Sequence, residues 1–148
     1  MSGAVDFATV VAQTAERLRD PVAHFRDLEL MLPEVIPGNL AHLRGALAAL
    51  LDLGLPVAVR DPLAFGLAEM CAADRVERIR NTQDYLAGFV RGVAVAELVD
   101  AAQADRLSAL VARAASVLFA QEMAQIRRRH RARQVRVRNQ GGAPCPMS

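Results

Sequence analysis

Asp20, His24 and Asp27 are the local set in this sequence whose types and spacing come closest to a metal site. On a helix, steps of four and three residues bring side chains onto one face. Two carboxylates and an imidazole are ligands that a divalent cation accepts. Structural zinc takes four ligands, however, and the sequence supplies no second cluster. The set therefore reads as a solvated face, with Asp20 capping a helix and His24 pairing with Asp27. No metal and no cofactor is expected.

Candidates for catalysis are as sparse. His24, His42 and His130 are the three histidines. None stands in a G-x-S-x-G or H-E-x-x-H frame. His42, close to Leu40, Leu43 and Leu47, reads as a partly buried helix residue rather than a base. Tyr85 with Asp84 and Glu97 reads as surface. No glycine-rich loop follows a strand, so no phosphate cradle is expected. Cys71 falls inside a helical stretch and Cys145 in a Gly/Pro-rich tail, which makes neither a disulfide framework nor a zinc motif. No catalytic residue is assigned, and the chain is not expected to be an enzyme.

The charge is more telling. Arg127, Arg128, Arg129, Arg131, Arg133, Arg136 and Arg138 lie in the last 22 residues with no acid among them. The net charge of +2 therefore divides into a tail of +7 and a body of −5, with 11 basic against 16 acidic residues. These seven arginines are the candidate partner-binding residues. Guanidinium forks suit phosphate and carboxylate alike, so the arm fits a nucleic-acid backbone or an acidic protein surface. It also fits the plainer role of cations at a helix C-terminus. No aromatic is interleaved, which argues against base stacking on single strands.

The elements that must position these groups are helical. The chain has 148 residues, 53% of them apolar, 23% charged and 4% aromatic, with no Trp and one Tyr. Ala, Leu and Val suit close helix packing, whereas sheets favour β-branched and aromatic residues. A core so poor in large shapes specifies a monomer weakly, and a homodimer is expected. Met1–Val10 has no basic leader and carries Asp6, so no signal peptide is read. Asp52, Arg60 and Asp61 interrupt the best apolar run, so no membrane span is expected and the chain reads as cytoplasmic.

Capping signals predict an all-α, single-domain bundle of about six helices, near 5–19, 21–32, 40–53, 62–72, 75–97 and 101–133. Asp20-Pro21 and Asp61-Pro62 pair a cap with a proline at the first helical position. Asn39 caps the third helix and Gly54 ends it. Asp74-x-x-Glu77 and Asp100-x-x-Gln103 resemble capping boxes. Apolar stripes run through Phe7, Val10, Val11, Thr14 and Leu18, and through Leu107, Leu110, Val111, Ala114, Val117 and Leu118, extending toward Met123 and Ile126. Leu55–Arg60 reads as a short extended linker. Gly88 and Gly92 suggest close helix approach. The last two helices should form a long hairpin turned at Leu98–Asp100, the final one projecting beyond the body. Residues 1–133 form the helical domain, and 134–148 a basic, then flexible tail; Gln134–Arg138 alternates with a period of two and could pair with a partner strand.

The segment from Tyr85 to Leu110, a helix, a short apolar turn, an Asp cap and a second helix, resembles in style small accessory proteins of proteobacterial phages and plasmids. The resemblance covers about a fifth of the chain, names no family and carries no functional residue. It implies a bacterial mobile element. The expected function is a non-enzymatic helical protein-interaction module, an accessory or inhibitor protein that binds a larger protein or ribonucleoprotein complex. The alternative is a nucleic-acid-binding regulator using the arginine arm on phosphate. In that alternative, Ala41–Leu53 and Pro62–Cys71 form a helix-turn-helix-like pair, but the second helix presents nothing that reads base edges.

Overall fold

The computed structural model describes Ala8, Ala12 and residues 19–141. Among the described residues the chain is all-α, with four α-helices and no strand. These are α1 (Leu40–Asp52), α2 (Val57–Ala72), α3 (Val76–Val95) and α4 (Ala101–Gly141). The apolar stripe from Phe7 to Leu18 lies outside the described residues.

The helix expected near 21–32 is not an α-helix. The chain instead turns at Pro21–His24 and makes three 3-10 segments, Arg26–Leu30, Leu32–Glu34 and Pro37–Asn39. Phe25 interrupts a helix from Pro21 with extended backbone (φ −106°, ψ 94°), and Pro37 holds Ile36 extended at ψ 127°.

α1 and its end follow the sequence closely. Gly54 adopts a left-handed φ of 60° just past the helix, a conformation open to glycine without a Cβ penalty. Asn39 does not cap α1 with its side chain. It is buried, and its Nδ2 donates to the Cys71 carbonyl at 3.1 Å, tying the start of α1 to the end of α2.

α2 begins earlier than expected. Leu55–Arg60 is not an extended linker, because Pro56 takes the N-cap position and its carbonyl accepts from Val59 N (3.0 Å) and Arg60 N (2.9 Å). Asp61-Pro62 thus falls inside the helix. Pro62 leaves the Ala58 carbonyl without its helical donor, which is tolerable because Ala58 is exposed to solvent. The Asp74 box is also absent: α3 is capped at Arg75 without a side-chain bond, and Asp74 instead faces Arg78 at 3.7 Å.

The turn between α3 and α4 is closed at both ends. Leu98 N donates to Val93 O at 3.0 Å and Glu97 N to Ala94 O at 3.1 Å, the double bond of a Schellman end. Glu97 occupies its left-handed position with φ 58°. Asp100 and Gln103 form the expected box: Gln103 N donates to Asp100 Oδ1 at 2.7 Å, and Asp100 N to Gln103 Oε1 at 3.0 Å.

α2 is the central helix. Val59, Leu63, Ala64, Leu67, Ala68, Met70 and Cys71 are all buried, and α2 packs on α1, α3 and α4. A helix so enclosed leaves little surface for a DNA groove. The close helix approach occurs at Gly66, where an added Cβ would run into the Leu86 side chain of α3. Gly88 and Gly92, where it was expected, face open space.

α4 contributes Leu107, Val111, Ala115 and Leu118 to the core, and among the described residues none beyond Leu118 is buried. Its 41 residues span about 60 Å at 1.5 Å per residue. The helix does not stop near Arg133: Gln134–Arg138 continues it, so the alternating segment is not strand-like. α4 also contains a stretch of mean hydropathy 1.2, apolar and long enough by composition to cross a membrane, of which 28% is buried. Within its apolar part α4 also carries the charged residues Arg113 and Glu122.

Candidate interaction surfaces

The seven arginines of the arm share one continuous helix. Every residue from Gln125 to Gly141 is exposed, a projection of about 25 Å. Among the described residues none of the seven makes an ion pair or side-chain hydrogen bond. His130 and Gln134 contact each other one turn apart at 3.2 Å. The arm is therefore a rod of uncompensated cations with its guanidiniums in water, held away from the acidic body.

A second surface was not read from the sequence. A groove of about 490 Å³ runs between α1 and α4, floored by Leu67 and Cys71 of α2. Small residues form much of its walls, among them Gly45, Ala46 and Ala49 on α1 and Ala109 and Ala114 on α4. His42 is exposed at its rim rather than partly buried, and it meets Gln121 at 2.8 Å between Nε2 atoms. Arg106 and Arg113 line the opposite wall without an ion pair among the described residues. Their spacing of seven places them about 10 Å apart along one side of α4. That spacing, flanking the Leu107–Leu118 stripe, was the available signal. Small walls and two cations suit an apolar helix bearing carboxylates.

The metal-like set does not assemble. Asp20, His24 and Asp27 lie on a turn and a 3-10 segment, so the shared helix face is lost. Asp20 faces Arg44 at 3.9 Å, both half-exposed, and such a pair contributes little. The His24 ring packs edge-on against Phe25 at 5.2 Å, with the Arg60 guanidinium 5.4 Å from the centre of the Phe25 ring. Among the described residues no three His, Cys, Asp or Glu side chains converge on a point. Tyr85 is exposed in the middle of α3, and Glu97 lies in the turn beyond its end.

Cys71 is free and buried. Burial disfavours its thiolate and pushes the thiol up to about 11, so it is not an activated nucleophile at neutral pH. Cys145 lies outside the described residues.

No family model matches this chain, and neither a curated protein nor a solved structure matches it.

Proposed function

We propose that the chain is a non-enzymatic helical interaction protein acting in the cytoplasm, which binds an anionic macromolecular partner through the projecting end of α4. In this reading the body is a single helical bundle, and α3 and α4 form an antiparallel hairpin that carries the arm outward. The observation that carries the proposal is the run of seven exposed, uncompensated arginines on a helix that has already left the core at Leu118. Cations held away from their own acidic body favour an external partner.

An accessory or inhibitor role toward a larger protein or ribonucleoprotein complex, of the kind the Tyr85–Leu110 resemblance implies, asks only for such a surface. The groove between α1 and α4 supports a protein contact beside the arm. Self-association as a symmetric dimer belongs to the same reading, supported by exposed Val95, Leu98, Met123 and Ile126 on and between the long helices.

The test replaces Arg127, Arg128, Arg129, Arg131 and Arg133 with Gln. Partner capture from the source cell should vanish while the helical circular dichroism spectrum is unchanged. Undiminished capture would remove the arm from the binding surface.

A further inference from the structure

We infer that the partner of the arm is duplex DNA, with the end of α4 seated in the major groove between two opposed rows of arginine. The inference rests on the reading that the arm is the partner-binding element. Its new observation is that α4 stays helical through Gly141, which fixes the angular position of every arginine.

At about 100° per residue, Arg127, Arg131 and Arg138 fall within about 40° of one another. Arg129, Arg133 and Arg136 fall within about 60° on nearly the opposite side of the helix. An acidic protein surface meets a helix from one side and would leave one row in solvent. Two opposed walls of phosphate use both. A helix with its side chains is about 10–12 Å across, and the major groove of B-form DNA is about 12 Å wide.

The face between the rows fits the floor of that groove. Arg128, Ala132, Val135 and Asn139 lie there, about a quarter turn from each row. Ala132 and Val135 are small enough to let the helix sit deep. Arg128 and Asn139 present the donor and acceptor groups that base edges accept. The opposite face holds His130 and Gln134, engaged with each other, and would look outward.

The experiment is a fluorescence anisotropy titration of a short labelled DNA duplex with the full chain over a series of salt concentrations. Six phosphate contacts give an expected log–log slope of about −5, at about −0.9 per contact. The variants R127Q/R131Q/R138Q and R129Q/R133Q/R136Q should each bring the slope to about half of that value. All six positions are exposed, so unchanged circular dichroism and thermal midpoints verify the fold. An A-form RNA duplex, with a deep and narrow major groove, should bind about tenfold more weakly.

A slope shallower than about −2 overturns the inference. So does one triple variant that binds like the unaltered chain, or RNA binding equal to DNA binding. Arm-dependent capture of a protein that survives nuclease, without duplex binding, overturns it too while leaving the proposed interaction role standing.

Discussion

Gln103 Nε2 donates to the Leu53 carbonyl at 3.2 Å, joining the first turn of α4 to the end of α1. The same side chain accepts from Asp100 N through Oε1. One amide thus closes the box that starts α4 and satisfies a carbonyl left over where α1 stops. The last helix is thereby positioned against the groove wall formed by α1.

Replacing Gln103 with Leu removes both bonds, and unfolding in denaturant should show a loss of about 1–2 kcal/mol. Asp100→Ala, which removes only the cap, should cost about 1 kcal/mol. If Asp100→Ala leaves the midpoint unchanged, the box does not hold α4. No loss in Gln103→Leu would mean that its two bonds add nothing to stability.

Glu97→Gly should stabilise the protein by about 1 kcal/mol. A side chain at φ 58° carries a steric penalty of roughly 1–2 kcal/mol that glycine avoids, partly offset by glycine's greater entropy in the unfolded chain. A rise in the thermal midpoint is the expected result, and a fall would show that the Glu97 side chain contributes a contact worth more than the strain.

Gly66→Ala should destabilise by about 1–3 kcal/mol, because the new methyl meets Leu86 in a packed interface. The double variant Gly66→Ala/Leu86→Ala should show a positive coupling, with the two losses failing to add. Additive losses would place the two residues out of contact.

The buried thiol gives a pH dependence of definite sign. Cys71 holds its proton up to about 11 in the folded chain against 9.0 for an unperturbed thiol. Above pH 9 the unfolded chain loses the proton first, so the folded state binds more protons and stability falls as pH rises, by up to about 1.4 kcal/mol per pH unit between the two values. Cys71→Ala should flatten that part of the profile, measured by denaturation between pH 8 and about 10.5. An identical slope in the variant would assign the loss to other groups.

The sequence was most legible where a local pair decides the structure. Asp100 and Gln103 announce a helix start by type and spacing, and Gly54 announces a stop. It was least legible where two local signals compete or where a distant residue decides. Pro56 and Asp61-Pro62 both offer a helix start, and burial of Val59 favours the earlier one. Asn39 looks like a cap, but its buried amide instead donates to the Cys71 carbonyl at the far end of α2. Gly66 carries no sign of Leu86, which reaches it only after α2 and α3 pack. The arm was read in composition, but its two rows were not, because the period-two pattern from Gln134 to Arg138 suggested that the helix ended at Arg133. Arg106 and Arg113 carry no local signal of a groove, because α1 stands across from them only in the folded chain.

The most direct test of the arm compares partner capture by the full chain and by a chain ending at Gln125, each with circular dichroism to verify the helical body. Leu118 is the last buried residue among those described, so the shortened chain keeps every described core residue. The full chain should recover a partner which high salt releases, and the shortened chain none of it. Equal recovery by the two chains would contradict the assignment of binding to the arginine-bearing end of α4.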